Sequence, residues 1–183
     1  TQVVLEEKLA TPILVGRPSV VEARIKRFGL SIKAGKDFDL VNPEDDPRYR
    51  SYVQSYVEVA GRRGVTPDAA RTVVRTNATV IAALAVVRGE ADAMICGVEG
   101  RYMSHLRHVR EIIGFMPGVS DYAALALTIT SKGAYFIGDT QVRPTPTAEE
   151  LAEMASLAAN HVTRFNIKPK IAFVSHSDFG GYD

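Results

Sequence analysis

Short apolar runs that close on glycine or a polar loop alternate with helical stretches along this chain. That alternation limits the available folds more than any other feature. Pro12-Ile13-Leu14-Val15-Gly16, Phe38-Asp39-Leu40-Val41, Ala91-Asp92-Ala93-Met94-Ile95-Cys96-Gly97 and Ile171-Ala172-Phe173-Val174 read as short buried strands. Helical signals separate them, and strands joined through helices pair side by side in parallel. The expected fold class is therefore α/β, with a mostly parallel sheet flanked by helices. One pair departs from the pattern. Residues 123–129 and 134–137, joined by the turn Lys132-Gly133, read as an antiparallel hairpin.

The helices announce their ends. Residues 3–10 read as the end of a helix. Pro18 suits a first turn and Gly29 a C-terminal stop. Asp45 or Asp46 is expected to cap the helix that begins near Pro47 and runs to Arg63. Its tyrosines, Tyr49, Tyr52 and Tyr56, recur at helical spacing and point to packing rather than to base stacking. Thr66 caps the next helix, and Thr76-Asn77 separates it from an Ala-rich, strongly apolar one at residues 78–88. Residues 101–113 form a further helix. Thr147 followed by Glu150 is a capping box for the last one, which extends to about Phe165. Gly114-Phe115-Met116-Pro117-Gly118 is the best boundary, giving a first lobe at residues 1–116 and a second at 117–183.

Composition excludes several function classes. With 22 basic and 21 acidic side chains the net charge is +1, too even for a general nucleic-acid binder or a polybasic membrane-surface protein. The expectation is no nucleic-acid partner and no membrane partner. The chain shows neither a signal peptide nor an apolar run of about 18 residues, so a cytoplasmic setting is expected. The single cysteine, Cys96, lies in an apolar run and reads as a small core residue. Neither the acidic turn at residues 42–47 nor the pair His105 and His108 has metal-ligand spacing, so no metal is expected on this chain. A Walker A sequence and a Gly-x-Gly-x-x-Gly motif are both absent, which leaves NAD binding within the chain without support.

Ligands of open α/β sheets sit at the carboxyl ends of the strands, and two loops there carry suitable groups. The first is Gly97-Val98-Glu99-Gly100-Arg101, which runs into a helix start. Glycine permits close backbone approach, and unpaired N–H groups at a helix N-terminus hold anions. Arg101, Arg107 and Arg110 lie on or near that helix with His105 and His108 between them; a solvated basic face is the alternative. The second loop is Ser175-His176-Ser177-Asp178-Phe179-Gly180-Gly181, whose hydroxyls and backbone N–H groups suit a phosphate or an acyl carbonyl. Ser175 and His176 are adjacent in an extended segment and point to opposite sides, so they do not form a nucleophile pair. A plain turn is the alternative there.

These loops, with Leu9-Ala10-Thr11-Pro12-Ile13-Leu14-Val15-Gly16, Arg63-Gly64-Val65-Thr66, Gly89-Glu90-Ala91-Asp92-Ala93 and Pro146-Thr147-Ala148-Glu149-Glu150-Leu151-Ala152, resemble the phosphate acetyl/butyryltransferase family in order and spacing. Asp37 to Tyr49, Arg75-Thr76-Asn77 and Gly100-Arg101-Tyr102 look most like the C-terminal phosphotransacetylase-like domain of bacterial NADP-dependent malic enzymes. The resemblance implies a two-lobed α/β fold, here without the first strand of its first lobe and with the second lobe incomplete at the C-terminus. It further implies a homodimer or higher oligomer with an acyl-CoA cleft. In the malic enzymes it implies a regulatory, oligomerising domain with acetyl-CoA as effector. NADP, a divalent metal and the oxidative decarboxylation of malate to pyruvate would then belong to an N-terminal malic enzyme region, a partner outside this chain. Arg107 matches an arginine that positions phosphate in the transferases. A second arginine of that family falls on Ala60, and its catalytic Ser-Arg and Asp lie in a segment beyond Asp183. No catalytic residue is therefore expected in this chain. Expected ligand-binding residues for acetyl-CoA or phosphate are Arg107, Ser175, Ser177, Gly180, Gly97 and Arg101. Acetyl transfer between CoA and phosphate is the alternative function.

Overall fold

A computed structural model describes residues 1–139, 141–143 and 145–174. The protein is α/β, as the alternation of apolar runs and helices predicts. It forms two compact units, Thr1–Gly114 and Phe115–Asp183.

The first unit opens with α1 (Gln2–Glu6), β1 (Ile13–Val15), α2 (Pro18–Arg27) and β2 (Asp39–Val41). β1 and β2 pair in parallel, Leu14 opposite Leu40, with α2 as part of the crossover. Pro18 starts α2, and Gly29 takes φ +61° just after it, where a Cβ would be strained. The helices α3 (Tyr49–Ala60), α4 (Pro67–Thr76), α5 (Ala78–Val87) and α6 (Tyr102–Ile112) follow, with a 3-10 turn at Gly61–Arg63.

α5 explains why they converge. It is apolar all round, so every face must be covered; Val80, Ile81, Ala83 and Leu84 are almost fully buried. Val41 from β2, Tyr52, Val53 and Tyr56 from α3, Ala70 and Val74 from α4, and Ile112 from α6 complete the same core. Thr66 caps α4 by accepting the Ala69 N–H at 3.2 Å. The two buried tyrosines keep their hydroxyls at the edge of the core. Tyr52 donates to Glu90 at 2.5 Å and Tyr56 to Glu111 at 3.2 Å. Glu90 also accepts from Arg88 at 2.6 Å, and Arg88 lies over the Tyr52 ring. Burial pushes the Tyr56 phenol up to about 12.

Three expectations for this unit are corrected. Neither Asp45 nor Asp46 caps α3; the Asp46 carboxylate is taken by the backbone N–H of Arg48 at 2.8 Å and by its guanidinium at 2.9 and 3.1 Å. Arg48 also reaches Asp39 at 3.1 Å, so one guanidinium serves both carboxylates. Residues 91–97 are not a strand, because no described segment runs alongside to complete a ladder. Cys96 is consequently exposed, not a core residue; in that segment Met94 packs against the core, and Ile95 is 99 % exposed.

The second unit contains β3 (Leu125–Thr130), β4 (Gly133–Gly138) and α7 (Ala148–Thr163). The strands pair antiparallel, with Leu127 opposite Phe136, as the two apolar runs and their short turn predict. Phe136 meets Phe165, just beyond α7, with ring centroids 5.2 Å apart. The capping box forms: Thr147 accepts the Glu150 N–H, and Glu150 accepts the Thr147 N–H at 2.8 Å. Asp139 receives four backbone N–H groups, from Ala124, Gln141, Val142 and Arg143. Arg143 in turn bridges Asp121 and Glu150. Residues 171–174, expected as a strand, have no ladder partner among the described residues.

Candidate functional site

The loop at residues 97–100 is where the first unit places its unusual backbone. Gly97 and Gly100 take φ +112° and +89°, which glycine tolerates. Val98 takes φ +70°, a conformation that costs a β-branched residue roughly 1–2 kcal/mol. Its side chain is fully exposed and recovers none of that through packing.

Arg101 follows as the N-cap residue of α6 in an extended conformation, and no side chain caps this helix. The first intrahelical bonds run from Ser104 and His105 to the Arg101 carbonyl. The N–H groups at the start of α6 are therefore left for solvent or an anion, next to an exposed guanidinium. Ile95, Val98, Tyr102 and Met103 expose apolar surface in the same stretch. Open N–H groups, a cationic side chain and exposed apolar surface thus occur together within nine residues.

His105 closes this arrangement from behind. One ring nitrogen, Nδ1, lies 2.7 Å from the Thr79 hydroxyl on α5, and the other, Nε2, lies 2.7 Å from the Glu99 carbonyl oxygen. The sequence alone places His105 among the arginines of a basic helix face. The available signal was its spacing: four residues after Arg101, it returns to the side of the helix where the loop enters.

Arg107 is exposed on α6 and makes no side-chain hydrogen bond or ion pair among the described residues. Its charge acts on Tyr56 and His108. It thus stands beside a second group of polar side chains. In that cluster Glu111 accepts from Tyr56, pairs with Arg63 at 3.6 Å and lies 3.9 Å from His108 Nδ1. His108 is 9 % exposed and its Nδ1 has no hydrogen-bond partner. Burial pushes its pKa down, Arg107 adds to that, and Glu111 opposes it. Ser175, Ser177 and Gly180 lie outside the described residues. Gly97 and Arg101 belong to one loop and helix start, and Arg107 lies farther along the same helix.

Among the described residues no group of three or more His, Cys, Asp or Glu side chains could hold a metal ion. No single described helix is long and apolar enough to cross a membrane. A groove of about 540 Å³ between α2 and β2, lined by Ile25, Lys26, Lys33 and Leu40 among others, includes none of the expected binding residues.

Known proteins resemble the chain throughout. The family described as phosphate acetyl/butaryl transferase matches residues 1–183. An NAD-dependent malic enzyme of Rhizobium meliloti is 58 % identical over 182 residues, and an NADP-dependent malic enzyme of Escherichia coli is 48 % identical over 183. Each match covers the whole of this chain and 24 % of the relative, so the chain spans about a quarter of those proteins. Among solved structures, the EutD phosphotransacetylase from Staphylococcus aureus superposes with a TM-score of 0.77 at 27 % identity, covering 94 % of this chain and 51 % of that one.

Proposed function

The chain belongs to the phosphate acetyl/butaryl transferase family, and from that premise we propose that it is the phosphotransacetylase-like, acetyl-CoA-sensing and oligomerising part of a malic enzyme. The observation that carries this reading is the pattern of similarity. The same residues that match the transferase family match two malic enzymes at much higher identity than they match a phosphotransacetylase. The malate-oxidising chemistry, with its divalent metal and NADP, is assigned to a region outside these 183 residues. One relative named for NAD makes NAD the alternative cofactor there. The proposed setting is cytoplasmic.

The loop at residues 97–100 supports acetyl-CoA as the effector. CoA carries phosphates on one part and an apolar, acyl-bearing arm on another. Open N–H groups at the start of α6 and the exposed Arg101 suit the phosphates. Exposed Ile95, Val98 and Met103 suit the arm. Arg107 supplies a further cation on the same helix, and Ser175, Ser177 and Gly180 are proposed as ligand-binding residues in their own right. In this reading the chain binds and reports; it does not transfer acetyl groups.

Calorimetry of acetyl-CoA with the intact protein, run beside an acetyl phosphate assay, tests this. Binding without turnover is expected, with Arg101→Ala weakening affinity about tenfold through loss of one charge-assisted contact. The likeness to EutD phosphotransacetylase favours a second reading, acetyl transfer between CoA and phosphate. Phosphate-dependent formation of acetyl phosphate would establish that reading and overturn the first.

A further inference from the structure

We infer that His105 is a positioning residue, a strut between the core helix α5 and the loop at residues 97–100 that sets the loop's conformation for ligand binding. The clause about binding rests on the acyl-CoA reading above; the strut itself does not.

The chemistry of the two contacts fixes how the imidazole is used. A carbonyl oxygen only accepts, so Nε2 must carry the hydrogen that is donated to Glu99. In the neutral ring Nδ1 is then an acceptor, and the Thr79 hydroxyl donates to it. Thr79 is 7 % exposed. It sits in the first turn of α5, where its own helix offers no carbonyl one turn back for its hydroxyl. His105 therefore satisfies a buried hydroxyl at one end and orders an exposed loop at the other.

The loop requires such an anchor. Val98 holds a left-handed conformation with no packing of its own, and the carbonyl of the next residue is the one His105 grips. Gly100 lies directly under the ring. A Cβ there would sit 3.2 Å from Nε2 and would also have to accept φ +89°. A loop left free to relax would lose the left-handed Val98 and turn its N–H groups to other directions. The anchor thus converts burial in α5 into backbone order at the surface.

The test combines trypsin cleavage after the exposed Arg101, followed by mass spectrometry, with acetyl-CoA calorimetry on the intact protein. His105→Ala is expected to speed that cleavage about tenfold, through easier local opening of the loop, and to weaken acetyl-CoA binding by a similar factor, the loss of one hydrogen bond. Conservative variants separate a strut from general packing. His105→Gln places an N–H where Nε2 lies and is expected to restore resistance to cleavage. His105→Asn reaches only the Nδ1 position and is expected to be cleaved as fast as His105→Ala. Unchanged cleavage after Arg101 in His105→Ala overturns the proposal. If that variant fails to fold, equal cleavage in His105→Gln and His105→Asn overturns it instead. Faster cleavage in a protein that never binds acetyl-CoA upholds the strut and removes the acyl-CoA reading.

Discussion

The two units are built on different physics. In the first, an apolar helix, α5, draws three other helices and a strand around it, and most of the buried side chains form one cluster. In the second, Val162 is the one side chain that falls in the buried class among the described residues. Leu127, Ile129, Tyr135 and Ile137 of the hairpin are 45 % exposed or more. Order there comes from polar groups: Asp139 collecting backbone N–H groups, Arg143 between Asp121 and Glu150, Ser120 on Glu153, and the capping box of α7. Apolar burial gives the first unit a core in which shape matters. Directional bonds give the second its loop geometry with little burial.

The sharpest way to break this contrast is a pair of truncations. Leu84→Ala, at a site with no exposure, is expected to cost about 3 kcal/mol through lost burial and the cavity left behind. Ile129→Ala, at 79 % exposure, is expected to change stability by less than about 0.5 kcal/mol. Urea unfolding of both variants decides it, and equal losses would show that the hairpin is covered in the intact protein.

Within the second unit, a polar truncation should cost far more than an apolar one. Asp139→Ala leaves four backbone donors without their acceptor and is expected to cost about 2 kcal/mol. Faster amide exchange at Ala124 and at residues 141–143 would locate that loss.

A smaller effect concerns acid. His108 is held below its ordinary value of 6.5 when folded, so the native state binds fewer protons there than the unfolded chain. Its contribution to stability is complete above 6.5 and is lost as pH falls below it. Glu90 and Asp46 act in a lower window. Burial alone would raise the Glu90 carboxyl, but Tyr52 and Arg88 outweigh it; the Arg48 guanidinium lowers Asp46. Their contributions are lost only as pH falls through the carboxylate range. A stability profile that declines in two stages is expected. His108→Phe should remove the upper stage, and a profile unaltered by that change would show that His108 does not titrate with folding.

Much of the local structure was legible. The Thr66 cap, the capping box at Thr147 and Glu150, the start of α2 at Pro18 and the stop at Gly29 are signals that act within a turn or two of chain. The hairpin was legible because its strands are neighbours in sequence. For the site, Gly97 and Arg101 were legible as a glycine-containing loop before a helix. The role of His105 was not, because its partner Thr79 lies 26 residues away. The acidic turn at 42–47 does not supply the expected cap because the Asp46 carboxylate is held by the Arg48 guanidinium.

The sequence by itself determined the α/β class, the position of most helix ends and the family, since all three rest on residue order and short-range chemistry. Only the tertiary structure decided that residues 91–97 run as an exposed segment with Cys96 on the surface. It alone decided that α5 is the centre of a core and that His105 joins α5 to the loop at residues 97–100. A strand exists only when a neighbour completes its hydrogen bonds, and a side chain finds its role only from what packs against it. Both depend on residues far away in the chain, where local propensity has no reach.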